Sequence, residues 1–477
     1  MMLSHAQGML CKPGKAPLRL VTMNAPAPSV AKLVSGSIPG HLVSQTIPAV
    51  IGVAALMSVG IVDAYFIGQL GSAPLAAISF IFPVTVASTS LGVGVMVGIN
   101  SVVARALGEG DFEKAARRAN FGIVFAALVG MMMGLMLFAL IEPIFAAMNA
   151  HDHLMPLIRA YMAPFAAGFP LSLMIMGLNG VLRGQGEAKR TSTINLMYAA
   201  ANWVLNPILI TGAFGFEGFG MAGSAYATIT GWAIGALAGL WVLRGTSLPF
   251  NPGLLRECSL IDPAKAIIKV GLPAAFSNAI NPLGLSVLTA RVALEGEAAV
   301  AGFGAAGRLQ SLVIVPLLAL SGAIGAIVGQ NWGAGRYDRA REAALYAAGF
   351  CVVWGLAVAI GIIAAGESFA RLFTDDPAVV AEFAAYLRIA AWGYAGFGLL
   401  IVGNGIMNAV DKAGFALGQS IVRVFLVMLP VALVLQPGMG SAAIYTAELA
   451  ANLFGALSAV VLVRHIFLKR EPAWNAR

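Results

Sequence analysis

The chain has 477 residues, of which 59% are hydrophobic and only 10% charged. Soluble globular proteins carry about 25% charged residues, so this composition excludes an ordinary water-soluble domain and points to a polytopic membrane protein. The net charge of +8 does not imply nucleic acid, because Lys and Arg recur in short clusters between apolar runs and form no basic tail.

Residues 1–40 hold Lys12, Lys15, Arg19 and Lys32 among Pro, Gly and Ser, with no apolar run for a signal peptide. They read as a disordered cytoplasmic extension. A bilayer-spanning helix needs about 20 apolar residues. Runs of that length fall at 42–66, 75–104, 117–141, 155–180, 191–213 and 219–243. A polar linker at 246–263 follows, read as cytoplasmic, then further runs at 265–290, 298–329, 341–365, 380–407, 413–435 and 440–466. The expected fold is an all-α membrane protein with twelve transmembrane helices. Six form an N-terminal bundle at 41–245 and six a C-terminal bundle at 264–477, which ends in a short tail. Arg105, Lys114, Arg183, Lys189, Arg336, Arg339 and Lys412 mark alternate turns, whereas the opposite side has only Arg159, Arg291, Arg371 and Arg388. The positive-inside rule then places both termini in the cytoplasm.

One charged, glycine-broken phrase occurs twice, as "ALGEGDFEKAARRA" at 106–119 and "NWGAGRYDRAREAA" at 331–344. Gly108 is answered by Gly333, 225 residues on, and the same offset pairs Pro48 with Pro273, Tyr161 with Tyr386 and Asn179 with Asn404. After a small deletion, "GFGMAG" at 218–223 is answered by "GMGSAA" at 438–443. The halves therefore read as a tandem duplication. Six being even, they are expected to be parallel repeats with pseudo-two-fold symmetry along the membrane normal.

An ionisable side chain inside a bilayer needs a partner, water or a function. Four stand out: Asp63, Arg308, Arg423 and Glu448. Asp63 is either an interfacial carboxylate reaching water or a coupling site. Withdrawing a carboxylate from water penalises its charged form. Arg423 and Glu448 lie on neighbouring helices and are expected within ion-pair reach, as a structural pair or as part of a substrate site. Amides cluster as well: Asn179, Asn195, Asn202, Asn206, Asn278 and Asn281. They serve either as interhelical glue or as solvation for Asp63, since Asn202 and Asn206 share a helix face. Pro48 is a candidate bend.

Enzymatic chemistry finds little support. "RGQGEAKRT" at 183–191 lacks the ending of a phosphate loop, and no nucleophile–base set is visible. Cys11, Cys258 and Cys351 have no metal-ligand spacing. No cofactor and no metal are expected.

Together, "VDAYFIGQLGSAPLAA" (62–77), "NGVLRGQGEAKR" (179–190), "NWVLNPILITG" (202–212), "GFGMAGSAYAT" (218–228) and "VGQNWGAGRYDRA" (328–340) resemble the multidrug and toxic compound extrusion (MATE) transporters. The resemblance covers about residues 40–465. It implies two bundles around a central cleft and export of small amphipathic, often cationic, compounds, driven by inward flow of protons or sodium. It carries ion coupling onto Asp63, Asn179, Asn202 and Thr228, with Asn206 standing where many members have Asp, and a helix bend onto Pro48. Asn281 and Phe397 stand where the NorM branch has acids, which favours the DinF-like branch and a proton over sodium. Asn281, Arg308, Arg423 and Glu448 form a second candidate polar site in the C-terminal half. The expected setting is a bacterial inner membrane, and the expected state a monomer. Two other readings compete: a flippase for a lipid-linked precursor, kept alive by Arg308 and Arg423, and a membrane enzyme or scaffold. A reporter enzyme fused after Arg477 is expected to be active only in the cytoplasm; an extracellular signal overturns the topology.

Overall fold

The computed structural model describes residues 31–212, 215, 217–255, 260–371 and 376–469. Cys11, Cys258, most of the expected extension and the end of the tail lie outside them.

The first half contains α1 (Ile38–Gly68), α2 (Ser72–Gly108), α3 (Phe112–Ala147), α4 (Met155–Gly184), α5 (Ala188–Asn206) and α6 (Met221–Leu243). The second contains α7 (Ile261–Val292), α8 (Glu297–Val313), α9 (Val315–Gly333), α10 (Tyr337–Ala364), the short α11 (Gly366–Ala370), α12 (Pro377–Ala390), α13 (Tyr394–Ala409), α14 (Ala413–Ile421), α15 (Leu429–Met439) and α16 (Ser441–Leu468). Among the described residues, ten helical stretches are long and apolar enough to cross a membrane. Neither α5 nor α7 is one of them. Thr191, Ser192, Asn195, Asn202 and Asn206 of α5 are buried against protein, so that helix has no need of an apolar circumference.

Several expected runs are interrupted. The run at 298–329 breaks at Ile314, just before Pro316, into α8 and α9. The run at 413–435 widens at Val422–Met428, and α5 ends in a similar wide turn at Pro207–Thr211. Such wide turns frequently occur at functional sites.

The turns repeat with the sequence. Backbone φ is positive at Gly71 and Gly296 (116° and 113°), Gly110 and Gly335 (76° and 71°), and Gly220 and Gly440 (58° and 57°). Gly186 (76°) is matched by Asp411 (64°), a left-handed position that a non-glycine residue seldom takes. Asp411 is held by Lys269 at 2.5 Å and Arg105 at 3.8 Å.

The halves meet along α2, which packs on α7 through Gly94 and Gly98 and, at the Arg-rich end, crosses α9. Gly108 is so close to α9 that a Cβ there would lie 2.0 Å from the Gln330 carbonyl oxygen, and one at Gly333 would lie 2.2 Å from that of Arg105. Arg105 Nη1 donates to the Ala409 carbonyl at 2.9 Å, and Gln330 Nε2 donates to the Gly184 carbonyl at 2.8 Å. Each contact in one half is returned 225 residues on. Gly108 is thus a point of close approach between backbones as much as a helix end. The turn itself follows from Gly110 and from Asp111, whose carboxylate accepts from the Lys114 amide at 2.9 Å.

The boundary expected at residue 41 moves. Leu33, Val34 and Ile38 are buried, so residues 31–40 belong to the packed structure. The Leu33 amide donates to Gln330 Oε1 at 3.0 Å, and Asn331 Nδ2 donates to the Leu33 carbonyl at 3.0 Å. Arg336 and Arg339 donate to the carbonyls of Val34 and Gly36. Lys32 pairs with Glu187, in the turn between α4 and α5. The segment is a strap fastened to both halves. The linker is packed too: Leu248 is buried, and its amide bonds Gln185 Oε1 at 3.3 Å.

Gly333→Leu is expected to force α2 and α9 apart at a cost of about 1–3 kcal/mol, the usual range for overpacking. Thermal unfolding followed by intrinsic fluorescence checks this: an unchanged melting temperature contradicts the close approach.

Candidate functional site

Two buried polar clusters lie inside the molecule, one in each half. In the first, Asp63 projects from α1, half-buried. Asn206 Nδ2 donates to Asp63 Oδ1 at 2.5 Å and to Asn202 Oδ1 at 3.0 Å. Asn202 Nδ2 in turn donates to Thr228 Oγ1 of α6 at 3.4 Å. The result is a chain from α1 through two positions on one face of α5 to α6. Asn202 and Asn206 are fully buried. Tyr161 and Tyr198 lie within reach of the Asp63 charge.

Asn206 makes the direct contact with the carboxylate, and Asn202, one turn earlier on the same face, also lies within hydrogen-bonding reach of Asp63. The Asn206 amide gives its nitrogen to two acceptors, while its own oxygen, also buried, has no hydrogen-bond partner among the described residues. That orientation suits an ionised Asp63. With the amide turned over, the oxygen would face a protonated one.

Asn179 does not join this chain. It donates to Asn195 Oδ1 at 3.0 Å, a separate α4–α5 contact. Pro48 sits within a continuous α1, and its own carbonyl accepts from Ser192 Oγ of α5, which ties the two helices together at that turn.

In the second half, Arg423 comes from the wide turn between α14 and α15 and is buried. It donates to Asn281 Oδ1 of α7 at 2.5 Å and to Asn452 Oδ1 of α16 at 2.9 Å. Its guanidinium lies 5.3 Å from the centre of the Phe397 ring, a cation–π distance. Glu448, also buried, accepts from Gln310 Nε2 at 2.7 Å and from the Tyr386 hydroxyl at 3.0 Å. The expected ion pair is therefore absent: among the described residues no contact within 4.0 Å joins Arg423 to Glu448, and each charge is met by neutral groups. Glu448 does lie within the reach of the Arg423 charge. Arg308 stands apart, exposed on α8.

Sequence reasoning missed Gln310 and Tyr386 as site residues. The signal for Tyr386 was present. It is the repeat mate of Tyr161, and each tyrosine accompanies its half's buried carboxyl, although the two carboxyls lie on non-equivalent helices, α1 and α16.

A bundle of apolar helices with ionisable and amide side chains sequestered inside it, and no catalytic set among the described residues, is the architecture of a multi-pass membrane transporter. The MatE family model matches residues 48–208 and again 273–434, and the chain belongs to that family. Its members are multidrug efflux transporters, not enzymes; they handle small drug substrates and couple to ion gradients. The chain is 31% identical over 405 residues to the FAD transporter of Shewanella oneidensis, covering 84% of this chain and 88% of that protein. It is 27% identical to the probable multidrug resistance protein YpnP of Bacillus subtilis, covering 78% and 83%. Among solved structures it resembles a MATE protein in complex with MaL6, with a TM-score of 0.87, 25% identity and coverage of 93% and 99%. It also resembles an outward-facing multidrug resistance MATE transporter of the MOP superfamily, with a TM-score of 0.86, 25% identity and the same coverage.

The separate satisfaction of Arg423 and Glu448 has a consequence for stability. Glu448→Gln keeps an acceptor for Gln310 and Tyr386 and is expected to melt close to wild type. Glu448→Leu strands both donors and is expected to cost about 1–3 kcal/mol. A melt in which Gln is as damaging as Leu would mean that the charge itself holds the lobe together.

Proposed function

We propose that this chain is a secondary active antiporter that exports small amphipathic compounds in exchange for protons, less favourably sodium. Twelve spanning helices form two parallel six-helix bundles with both termini cytoplasmic, in a bacterial inner membrane, and a monomer suffices. The observation that carries this reading is the buried chain Asp63–Asn206–Asn202–Thr228. A carboxylate held by neutral amides can change its protonation state without stranding a buried counter-charge. The amide at Asn206 has a donor for the ion and an oxygen for the acid.

The place where the halves are joined supports alternating access. Hydrogen bonds from Arg105, Gln330 and the 31–36 strap close the end that the positive-inside rule assigns to the cytoplasm. This supports an outward-facing state. Protonation of Asp63 removes a charge that a cationic substrate would contact, so proton and substrate compete for one lobe. Pro48, whose carbonyl bonds Ser192 across to α5, is the proposed bending point of α1. Asn179 plays a supporting part through Asn195. Asn281 and Phe397 beside Arg423, where the NorM branch has acids, favour the DinF-like branch and proton coupling.

A second reading concerns the cargo. The relative that transports FAD, with Arg308 exposed on α8 and Arg423 buried in the second half, favours an anionic aromatic compound of that kind. The lipid-linked precursor reading gains nothing from these relatives.

Asp63→Asn is expected to abolish gradient-driven transport into inverted vesicles while leaving the protein folded and inserted. The measurement compares ethidium and FAD as cargo under separately imposed proton and sodium gradients. Full transport by the mutant at normal expression would move the coupling site elsewhere, and FAD uptake without ethidium uptake would select the second reading.

A further inference from the structure

A groove of about 360 Å³ opens on the outer face of the second half, at its Arg-rich end. Its floor is α13, through Leu399, Val402, Gly403 and Ile406, and its walls are α10 and α16. Ala344, Ala348 and Ala459 keep the walls apart by being small, and Arg341 and Arg464 stand at its rim. The flanking side chains are apolar and exposed: Leu345 is 64% and Val460 is 49% accessible. The groove therefore opens sideways, towards the acyl chains.

The repeat supplies the comparison. In the first half the matching helices are α3, α4 and α6, and there the chain itself covers the position. The linker after α6 folds back, with Leu248 buried and Phe250 packed against the core. Position 120, the mate of Leu345, is an asparagine that is 1% exposed. Its amide is bonded to the linker: the Asn251 amide donates to Asn120 Oδ1 at 2.5 Å, and Asn120 Nδ2 donates to the Pro249 carbonyl at 3.4 Å. One half presents a polar residue to a protein cover. Among the described residues, the other presents an exposed leucine at the same place, with Arg341 and Arg464 at the rim.

We propose that this groove binds one anionic phospholipid of the cytoplasmic leaflet, its phosphate on Arg341 and Arg464 and an acyl chain laid along α13. Basic pockets between helices on the cytoplasmic side suit such headgroups, and guanidinium groups suit phosphate oxygens. The proposal rests on the reading above only in assigning this end to the cytoplasmic leaflet. Its test uses solubilised protein, so its outcome is independent of transport and topology.

Native mass spectrometry of the full chain, in detergent containing equal amounts of phosphatidylglycerol and phosphatidylcholine, measures the binding. One phosphatidylglycerol per chain is expected, with a preference of about thirtyfold for two arginines near an anionic headgroup. The double variant Arg341→Gln/Arg464→Gln should lose the preference while keeping the wild-type melting temperature. Ala348→Leu, which fills the groove and leaves both arginines in place, should reduce retention of both lipids. Equal retention of the two lipids by wild type, or an unchanged preference in the double variant, overturns the proposal. So does binding that appears only after residues 470–477 are removed, since the tail of the chain would then be the occupant.

Discussion

The crossing of α2 over α9 is the contact on which the rest of the molecule depends. Two helices of this hydrophobicity gain nothing from water exclusion inside a bilayer, so they associate through close packing and hydrogen bonds. Gly108 and Gly333 bring the backbones to a separation that any side chain would prevent. Arg105 and Gln330 then cross the joint to carbonyls in the opposite half. Because each contact is returned at its repeat mate, the joint is self-complementary, as in a two-fold dimer, although one chain supplies both sides. The halves also pack through α2 on α7, where Gly94 and Gly98 face Gly271, and the buried polar clusters lie within each half.

The two clusters solve the same problem differently. A lone charge in a low-dielectric interior needs hydrogen bonds or a counter-charge. Asp63 takes its support from amides. Arg423 and Glu448 lie within each other's electrostatic reach, yet the hydrogen bonds of each run to neutral partners. Neutral partners leave a charge free to change state or to meet an incoming ion, whereas a tight salt bridge would fix both. The first half presents a carboxylate held by amides, and the second a guanidinium backed by an aromatic ring.

Much of this could be read from the residues. Ten apolar stretches followed from length, and the recurring positive-φ turns at Gly71 and Gly110 keep the offset that Pro48, Gly108 and Tyr161 show with their mates. Asp63, Asn202 and Asn206 stood out because polar groups are costly in a membrane. What stayed hidden depends on three-dimensional placement. Nothing in the pattern separates Asn179, which faces Asn195, from Asn202, which joins Asn206 beside Asp63. The break at Ile314 had a signal in Pro316, but a proline alone does not tell a bend from a break. Leu33 and Val34 were assigned to a disordered extension because the surrounding composition is that of a loop, and their burial comes from a surface built by residues about 300 positions away. Gln310 reads as an ordinary polar residue until α12 and α16 are brought beside it.

The strap has one further property. Its fastenings to α9 and α10 are made through main-chain groups of Leu33, Val34 and Gly36, so its bonds depend more on the length and path of the chain than on residue type. Substitution along it is a mild change and insertion a severe one. Anything joined to the protein just ahead of Ala31, whether an affinity tag, a fluorescent domain or a lipid anchor, is tethered directly at the seam between the halves. A fusion after α16 is attached at the end of a helix that takes no part in that seam. The two ends of one polypeptide are therefore mechanically unequal handles: the first pulls on the seam, and the second pulls on α16.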